Sequence, residues 1–585
     1  MDMVNVIIDG LSYSVPKGAT ILEACKSLGI EIPTLCYMKE INEIGACRMY
    51  VCEVKGARSL VAACVYPIDR DGMEISTHSP EVLKSRKMTL ELLLSNHDKK
   101  CLSCSRSGNC EFQKLCRDYG VEDEHKYDGE NPEYEIDESM PHLIRNNNKC
   151  ILCRRCVAVC DKNQDVAVIG TNERGFISHI GQAFELKLGE VSCIGCGQCT
   201  AVCPTGALTE RDDTDKVWAA IADPTKHVVV HAAPSIRVTL GECFGMPIGS
   251  IVTGKMVTAL RRLGFDKVFD TNFAADLTIM EEATELLDRV QNGGKLPMIT
   301  SCSPGWIKYC EHYYPDMLDN LSSCKSPQQM MGAVIKTYYA DKMGIDPKDI
   351  FVVSIMPCTA KKIEIGRDDQ AAAGVPDTDV SLTTRELAKM IDRAGLNFTD
   401  LPDGEFDSPM GLGTGAGTIF GATGGVMEAA LRTAVAVLTG KNPEKLEFED
   451  VRGTEGIKEA SYNVAGVDVK VAVASGTANA KKVLDMVKSG EKDYTFIEIM
   501  GCPGGCVNGG GQPIQPASVR NFVDLKALRA KALYEDDKAL PVRLSHENED
   551  VKTLYKEYFE KPGSHKAHEA LHTSYVARKM LNIEK

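Results

Sequence analysis

Hydrophobic and polar positions alternate along the first residues of the chain. Val4, Val6 and Ile8 recur at every second position, and the pair Asp9-Gly10 follows them. Because the side chains of a strand point to opposite faces in turn, this alternation predicts a strand, and Asp-Gly predicts a hairpin turn. The segment from Thr20 to Leu28 then has a helical pattern. We therefore expect a hairpin and a helix at the start of the chain.

From about residue 226 onward, short apolar runs of strand type alternate with helical segments. Of four such runs, HVVVHAAPSIR has no terminal cysteine, whereas KLPMITSC, DIFVVSIMPC and YTFIEIMGC end in Cys302, Cys358 and Cys502. Cys506 follows in the glycine-rich segment GCPGGCVNGGGQP. Ligands of open α/β sheets lie at the carboxyl ends of the strands, and glycines let the backbone approach a bulky group closely. The four thiols therefore predict a buried iron–sulfur site.

Composition and charge narrow the class of protein. The 67 Lys and Arg residues against 82 Asp and Glu residues give a net charge of −15 over 585 residues. A chain of this length predicts about three to five domains, and the lack of a basic patch argues against binding to nucleic acid or anionic membranes. The first residues lack the pattern of a signal peptide, and no run of about 18 apolar residues is present. We expect a cytoplasmic protein.

The chain contains 24 cysteines, and without a secretory signal a disulfide framework is not expected. Nineteen of them lie in close groups between Cys36 and Cys203 or in the set of four just described. We interpret the other five as small buried hydrophobic residues: Cys25, Cys116, Cys243, Cys310 and Cys324.

The first group consists of Cys36, Cys47, Cys52 and Cys64. With the hairpin and helix it resembles the ubiquitin-like fold of plant-type [2Fe–2S] ferredoxins, which implies a [2Fe–2S] cluster on these thiols. Such domains in complex I-like proteins carry C-x2-C, and here Tyr50 stands where the second of those cysteines is expected. In a strand, Cys52 would face the same side about 7 Å further along. Either Cys52 takes over after a local rearrangement, or the cluster is weak or absent.

The segment HDKKCLSCSRSGNC places His97, Cys101, Cys104 and Cys110 in the spacing H-x3-C-x2-C-x5-C. Imidazole and thiolate also suit zinc. However, the segment resembles the His-and-three-Cys [4Fe–4S] site of complex I large subunits and iron-only hydrogenases. The neighbouring cysteine groups favour iron–sulfur over zinc.

Two runs, CILCRRCVAVC and CIGCGQCTAVCP, repeat the spacing C-x2-C-x2-C-x3-C. This is the pattern of bacterial two-cluster ferredoxins, in which the fourth cysteine of each run ligates the other cluster. It predicts two [4Fe–4S] clusters with crossed ligands. The first would be held by Cys150, Cys153, Cys156 and Cys203, and the second by Cys193, Cys196, Cys199 and Cys160.

The segments TSCSPGW, MPCTAKKIE and GCPGGCVNGGGQP resemble the three signatures of the [FeFe], or iron-only, hydrogenases, and the likeness extends over nearly the whole chain. It implies an α+β multidomain protein. An N-terminal β-grasp [2Fe–2S] ferredoxin-like domain, a His/Cys cluster segment and a two-cluster ferredoxin domain would precede a two-lobed α/β H-cluster domain. We place these parts at residues 1–80, 81–120, 121–215 and 216–520, with a helical tail similar to a small subunit at 521–585.

The resemblance also implies an H-cluster, which is a [4Fe–4S] cubane joined to a two-iron unit with CO, cyanide and a bridging dithiolate. By resemblance, Cys358, Cys502 and Cys506 ligate the cubane, Cys506 bridges to the two-iron unit, and Lys361 donates a hydrogen bond to a cyanide. Further residues would line the pocket: Ala233, Pro234, Gln328, Met356, Pro357, Phe420 and Met500.

The first signature departs from the family pattern T-S-C-C-P-x-W, because Ser303 replaces its second cysteine. In the family, the first cysteine relays protons and the second ligates the cubane, so Cys302 keeps the relay position. Three alternatives stay open: ligation by the serine oxygen, a shifted loop in which Cys302 ligates, or a different fourth ligand. Thiolate is a far softer iron ligand than a hydroxyl.

A helix over MEEATELLDR would place Glu282, Glu285 and Arg289 on one face. Spacing alone favours a surface ion pair between Glu285 and Arg289. The resemblance instead implies a proton relay through the two glutamates and Cys302, with Arg289 at the outer end and the Ser322 hydroxyl between them.

Two other motifs carry no further prediction. HEALH, at residues 568–572, matches the zinc-protease pattern, but only 13 residues follow it, and the segment resembles the C-terminal helix of these hydrogenases. The glycine-rich segment 411–425 lacks G-x-G-x-x-G, so we interpret it as a loop that packs on the active cluster. We therefore expect no nicotinamide or flavin site in this chain.

The sequence as a whole predicts a hydrogenase catalytic subunit that carries out 2H⁺ + 2e⁻ ⇌ H₂. Its cofactors would be the H-cluster, three [4Fe–4S] clusters and one [2Fe–2S] cluster. Expected partners are a flavin-bearing NAD(P)H-binding subunit and a thioredoxin-like [2Fe–2S] subunit, or ferredoxin. The alternatives are a complex I-like relay subunit without catalysis, and a hydrogenase-like H₂ sensor or iron–sulfur scaffold.

Overall fold

The alternating residues at the start of the chain form the expected hairpin, in which Val6 pairs with Tyr13. The computed structural model describes residues 2–464 and 466–581. The first helix begins after Thr20, whose hydroxyl accepts the Glu23 N–H while the Glu23 carboxylate accepts the Thr20 N–H. This reciprocal capping satisfies two backbone donors and explains where the helix begins. The hairpin and helix predictions are confirmed.

The hairpin belongs to a five-stranded sheet against which the helix Ile21–Ser27 packs. In order across the sheet, its strands are Leu11–Pro16, Met3–Ile8, Met73–Ser76, Val51–Val54 and Val61–Ala62.

The next part of the chain, up to about residue 210, has short elements joined by long loops. Its helices are Pro80–Ser95, Glu111–Asp118, Arg155–Ala158 and Gln198–Val202, and a π-helical turn, Val159–Asn163, follows the third of them. Two small antiparallel ribbons complete it, Leu143–Arg145 with Leu208–Glu210 and Gly170–Asn172 with His179–Gly181.

Two four-stranded sheets with helices around them make up the remaining α/β part. The first is parallel throughout, in the order Lys267–Asp270, His227–Ala232, Ile350–Met356 and Val380–Thr383. The second has the order Met298–Ile299, Phe496–Met500, Val467–Ser475 and Ile457–Val464, of which the first three are parallel.

The loops after these strands bring the two sheets together at their carboxyl ends. The Gly511 N–H donates to the Pro357 carbonyl at 2.8 Å, and the Thr423 N–H donates to the Gly504 carbonyl at 3.2 Å. A parallel sheet presents its ligand-binding loops at this edge, so the cleft between the sheets is where a site is expected.

Helices cover both sheets, and the longest has the predicted glutamates on it. The helices of this region are Thr214–Ala222, Thr253–Leu263, Thr271–Asn292, Pro304–Tyr313, Pro327–Val334, Ala340–Met343, Lys361–Glu364, Thr384–Arg393, Gly415–Ile419, Gly425–Thr439 and Thr477–Lys488. The C-terminal segment adds Ala517–Arg520, Leu525–Ala539, Glu549–Leu554 and His565–Leu571. Among the described residues, no helix has the length and apolar character needed to cross a membrane.

Candidate active site and cluster sites

Three thiols meet where the two sheets meet. Cys358 lies two residues after the strand that ends at Met356, and Cys502 lies two residues after the strand that ends at Met500. Burial raises the pKa of Cys358, Cys502 and Cys506. The charge of the nearby Cys358 thiolate is the second cause of the raised pKa of both Cys502 and Cys506. Buried thiols that disfavour one another's ionised form suit a metal cluster, because bound iron displaces the protons and neutralises the charge.

The loop between Cys502 and Cys506 depends on two glycines. Gly504 and Gly505 have φ values of 84° and 92°, which only glycine adopts readily. A Cβ atom on Gly505 would lie 2.6 Å from the Thr423 backbone nitrogen. The loop can therefore turn both thiols toward the cleft only because these positions carry no side chain.

The two residues of the variant signature point to different neighbours. Ser303 Oγ accepts a hydrogen bond of 3.0 Å from the N–H of Gly501, the residue before Cys502. The Cys302 side chain packs among the residues around Cys506. The pKa of its thiol is well above the usual range, mainly because the thiol is buried and secondly because Glu282 is negatively charged. The serine oxygen thus lies beside the cysteine loop, while the thiol faces the glutamate helix.

Lys361 holds this loop in place. Its ammonium donates to the Cys302 carbonyl at 3.1 Å, to Ser326 Oγ at 2.8 Å and to Glu364 Oε2 at 2.9 Å. The same Glu364 oxygen accepts from Gln328 Nε2 at 2.8 Å. A charge this deeply buried is tolerated because it is paired and fully hydrogen-bonded.

The residues predicted to line the pocket come from several elements around the cleft. Phe420 and Met500 share a buried cluster with Cys302 and Cys506. The others lie at strand ends or on the neighbouring helix: Ala233, Pro234, Met356, Pro357 and Gln328. His231, which was not predicted, is buried in the strand before Ala233, and its Nε2 has no hydrogen-bond partner within the described part of the chain. Its signal in the sequence was a histidine at the end of the apolar run HVVVH.

Three of the predicted relay residues, Glu282, Glu285 and Arg289, lie on the helix Thr271–Asn292. Arg289 Nη2 donates to Glu285 Oε1 at 2.6 Å, and Ser322 Oγ donates to Glu285 Oε2 at 2.9 Å. Both carboxylate oxygens of Glu282 are buried, and neither has a close hydrogen-bond partner among the residues that the structure describes. Burial, and then the charge of Glu285, raises the pKa of Glu282 to about 8, although Ser322 opposes part of the rise. A row of side chains with exchangeable protons thus extends from Cys302 to Arg289.

Beside Glu285 lie further groups that were not predicted to belong to the relay. The Ser323 hydroxyl forms a hydrogen bond of 2.8 Å with His572 Nδ1, and the Ser323 N–H donates to Glu285. His572 Nε2 lies 3.2 Å from Glu281 Oε2. The HEALH motif therefore contributes His572 to a network beside the glutamates. Only the tertiary fold brings residue 572 to residue 285.

The two-cluster segment groups its thiols as the crossed-ligand pattern predicts. One cavity is lined by Cys160, Cys193, Cys196 and Cys199 together with mostly apolar residues. The other four thiols, Cys150, Cys153, Cys156 and Cys203, influence one another's charges. Burial raises the pKa of Cys160 to about 11. An apolar cavity with four thiols around it fits a [4Fe–4S] cluster.

The two-cluster segment is in direct contact with the loops that carry the active-site cysteines. Gln198 Nε2 donates to the Asn508 carbonyl at 2.9 Å, and Thr359 Oγ1 donates to the Gly195 carbonyl at 2.8 Å. A Cβ atom on Gly510 would lie 2.3 Å from the Cys196 carbonyl oxygen. The charge of Cys502 is the second cause, after burial, of the raised pKa of Cys196.

His97 has the environment of a metal ligand. Its ring lies edge-on to Phe112, with centroids 5.2 Å apart, and its buried Nδ1 has no hydrogen-bond partner in residues 2–464 and 466–581. Burial lowers the pKa of His97 to about 4, so the imidazole is neutral at pH 7. A Cβ atom on Gly206 would lie 2.6 Å from Cys104 Sγ, which shows how closely the backbone covers this group. The residues fit the predicted cluster.

The N-terminal thiols are only partly brought together. Tyr50 lies with Cys36, Cys47 and Cys64, and its hydroxyl is 2.7 Å from Cys36 Sγ. The Cys52 side chain is directed elsewhere, toward Cys25 and Arg86. The structure therefore does not bring Cys52 to the other three thiols.

Five family models match the chain. Residues 226–510 match "Iron only hydrogenase large subunit, C-terminal domain", and residues 523–578 match "Iron hydrogenase small subunit". Residues 86–125 match the "NADH-ubiquinone oxidoreductase-G iron-sulfur binding region". Residues 1–80 match a "2Fe-2S iron-sulfur cluster binding domain", and residues 149–207 match a "4Fe-4S dicluster domain".

Two curated relatives align with almost the whole chain. The "NADP-reducing hydrogenase subunit HndD" of Solidesulfovibrio fructosivorans is 48% identical over 592 residues, which cover 99% of this chain and all of the relative. "Iron hydrogenase 1" of Clostridium pasteurianum is 45% identical over 575 residues, 98% of this chain and 100% of the relative. Among solved structures, the apo [FeFe]-hydrogenase HydA1 from Chlamydomonas reinhardtii has a TM-score of 0.56 and 43% identity, covering 63% of this chain and 99% of that one.

Proposed function

The chain belongs to the iron-only hydrogenase family, as a catalytic subunit with N-terminal iron–sulfur domains, and on this premise we propose that it catalyses 2H⁺ + 2e⁻ ⇌ H₂ in the cleft between its two sheets. The observation that carries this proposal is the row from Cys506 through Cys302 to Glu282, Glu285 and Arg289. It combines buried thiols for a cluster with an unpaired buried carboxylate for proton transfer.

Cys358, Cys502 and Cys506 would hold the H-cluster, since their buried thiols lie together in the cleft. When bound, this group supplies the centre at which electrons and protons combine. Lys361 would stabilise its cyanide side, since its ammonium is already fixed beside the Cys302 carbonyl. The seven pocket residues listed above would exclude water around it, as their burial and mostly apolar character support.

Protons would pass between solvent and the cleft along the side chains already described. Arg289 and Glu285 form the outer end, the Ser322 hydroxyl links Glu285 toward Glu282, and Cys302 is the last donor before the cluster. Each group can both accept and release a proton, except that Arg289 acts through its charge.

The pH dependence of the two directions follows from Glu282. With a pKa of about 8, its carboxyl carries a proton at lower pH and is ionised at higher pH. Proton delivery needs the protonated form, so we expect H₂ production to fall as the pH rises through about 8, while H₂ oxidation rises over the same range. Rate profiles in both directions would check this. An inflection that does not move in the Glu282→Asp variant would contradict the assignment.

Ser303 would occupy the position of the missing cubane ligand, with Cys302 left to its relay role. The hydrogen bond from Gly501 to Ser303 Oγ supports this arrangement, because it orients the oxygen beside Cys502. An alkoxide or hydroxyl is a harder ligand than thiolate, so the cubane would be held less firmly than in relatives with cysteine.

The Ser303→Cys variant tests this position. We expect it to bind more cubane iron per chain and to produce H₂ faster, since thiolate restores a soft ligand. Iron content, the electron paramagnetic resonance (EPR) spectrum of the reduced cubane and the H₂ production rate would be measured together. Ser301→Cys is the matched control, because Ser301 Oγ donates instead to the Cys324 carbonyl at 2.7 Å. An unchanged cubane spectrum in Ser303→Cys would show that residue 303 is not beside the cubane.

Electrons would reach the cleft through three [4Fe–4S] clusters. The His97 group and the two crossed-ligand groups would hold them, and the contacts of Gln198 and Gly510 support direct transfer from the second crossed-ligand group to the cubane. We retain the domain limits 1–80, 81–120, 121–215, 216–520 and 521–585 for this arrangement.

Electron-transfer partners would complete the reaction. The relative named as an NADP-reducing hydrogenase subunit, and the match of residues 86–125 to a complex I-type region, support docking with flavin-bearing NAD(P)H-binding and thioredoxin-like [2Fe–2S] subunits. Full turnover of the isolated chain with ferredoxin in its native extract would contradict the multisubunit proposal. Production of H₂ by the matured chain from a reduced viologen tests catalysis itself, and the relay-subunit alternative predicts none.

A further inference from the structure

The N-terminal thiol group differs from the other groups in having a large side chain within it. Tyr50 has no exposed surface, and its hydroxyl forms a hydrogen bond of 2.7 Å with Cys36 Sγ. The same hydroxyl also interacts with the Cys64 thiol. The phenol thus spans two of the three thiols that would have to surround a [2Fe–2S] cluster.

A tyrosine side chain is much longer than a cysteine side chain, and this difference determines whether a cluster can fit between the thiols. In a cysteine ligand the sulfur is bonded directly to Cβ, so the backbone stays outside the cluster and the iron lies just beyond the sulfur. In tyrosine the whole ring separates Cβ from the oxygen. A ring that starts at residue 50 and brings its oxygen to the Cys36 sulfur therefore occupies the volume between the thiols, where two irons and two sulfides would have to fit.

Cys52 does not offer an alternative fourth ligand. It pairs with Val61 in the strand Val51–Val54, and its thiol interacts with the Arg86 side chain. Arg86 is itself fixed by donating to the Val51 carbonyl at 2.8 Å and to the Tyr119 hydroxyl at 3.0 Å. To reach Cys36, Cys52 would have to leave this buried contact and turn its strand over, which would expose the core face of the strand.

The other cluster groups in the same structure provide an internal comparison. In one of them the thiols keep a space between them, since Cys160, Cys193, Cys196 and Cys199 line a cavity. Within the described residues, the hydrogen bonds of the [4Fe–4S] thiols go to backbone groups or to a threonine, and none goes to a side chain lying between the ligands. His97 likewise keeps a free buried nitrogen. At the N-terminal group, by contrast, the Tyr50 hydroxyl lies 2.7 Å from Cys36 Sγ, so the ring fills the space that a cluster would need.

We propose that the N-terminal domain of this chain carries no [2Fe–2S] cluster, because the Tyr50 side chain occupies the cluster volume. The domain keeps its fold through its apolar core, in which Tyr50 is a component. It also stays docked on the cluster domain, since Asn42 Nδ2 donates to the carbonyls of Cys36 and Cys153 at 2.8 and 3.1 Å. Electrons then enter the chain at the His97 group or the first crossed-ligand group without passing through residues 1–80.

The test is EPR spectroscopy of the full-length chain, reconstituted with iron and sulfide and reduced with dithionite, at liquid-nitrogen temperature. Reduced [2Fe–2S] clusters remain visible there, whereas signals of reduced [4Fe–4S] clusters broaden. We expect no [2Fe–2S] signal from the unmodified chain or from Tyr50→Phe. The Tyr50→Cys variant should gain the signal together with the iron of one [2Fe–2S] cluster. Cys52→Ala in the Tyr50→Cys background is the matched control and should leave the gained signal unchanged.

Each remaining outcome overturns the proposal. A [2Fe–2S] signal from the unmodified chain would show that the site is occupied despite the phenol. Its loss in Tyr50→Phe would then identify phenolate ligation, and its loss in Cys52→Ala would identify the rearranged strand. A Tyr50→Cys chain that folds, as judged by its [4Fe–4S] signals, but gains no [2Fe–2S] signal would show that something other than the ring excludes the cluster. The inference is independent of catalysis, since none of these readouts requires H₂ turnover.

Discussion

Replacement of Cys302 by alanine is expected to lower the rate of H₂ production by roughly 100- to 10,000-fold, the range that a positioned acid or base contributes. Cys302 is the last proton donor in the proposed row, and alanine removes the exchangeable proton without adding volume. Because we assign the cubane to Cys358, Cys502, Cys506 and Ser303, the cluster should survive the substitution. The rate of H₂ production from a reduced viologen would be measured. The infrared bands of iron-bound CO and cyanide, recorded on the same sample, would show whether the H-cluster is still present.

A second buried cysteine provides the control for this substitution. Cys310 is buried on the helix Pro304–Tyr313, and its thiol donates only to the Tyr314 carbonyl. Cys310→Ala should therefore leave the rate close to that of the unmodified chain. Equal losses in both variants would indicate general destabilisation. Loss of the infrared bands in Cys302→Ala would indicate that Cys302 ligates the cubane, as the shifted-loop alternative requires.

Glu282→Gln is expected to produce a loss of similar size, about 100-fold or more. The amide has nearly the shape of the carboxyl but cannot pass a proton from Ser322 to Cys302. Because the Glu282 carboxyl is buried with a raised pKa, the neutral amide should be tolerated or even stabilising at high pH, where the carboxyl would be forced to ionise. The measurement is the H₂ production rate against pH, combined with the midpoint of thermal unfolding.

The adjacent residue gives a matched control for Glu282. Glu281 is equally buried, but it accepts hydrogen bonds from the Tyr555 hydroxyl at 2.5 Å and from the Gly563 N–H at 2.9 Å. Glu281→Gln should therefore weaken the attachment of the C-terminal segment, with little effect on the rate of the folded enzyme. If Glu281→Gln loses as much turnover as Glu282→Gln, proton transfer does not pass specifically through Glu282.

Local patterns predicted the parts of this molecule that depend on neighbouring residues. The hairpin at Asp9-Gly10 follows from alternation, and the spacing of Glu282, Glu285 and Arg289 follows from the helix period. The structure agrees with these two placements because short-range geometry leaves few alternatives. The grouping of Cys160 with Cys193, Cys196 and Cys199 joins distant residues, and it was expected only because the repeated spacing is that of two-cluster ferredoxins.

Features that depend on long-range contacts could not be predicted. The sequence left open whether Cys52 turns toward Cys36, because that choice is set by Arg86 on a different element. It left three alternatives for Ser303, because the Gly501 N–H that orients its oxygen lies in a loop far along the chain. The packing of His572 against Ser323 was equally hidden. In each case a partner distant in the sequence decides the orientation of the side chain.

The most direct test of the central proposal is the infrared spectrum of the anaerobically purified, matured chain, in the region where iron-bound CO and cyanide absorb. If Cys358, Cys502 and Cys506 hold an H-cluster beside Ser303, the spectrum should contain sharp bands from both CO and cyanide. A spectrum without these bands, from a sample whose cubane iron is complete, would contradict the proposal. The chain would then be an electron relay that holds cubanes but does not form H₂.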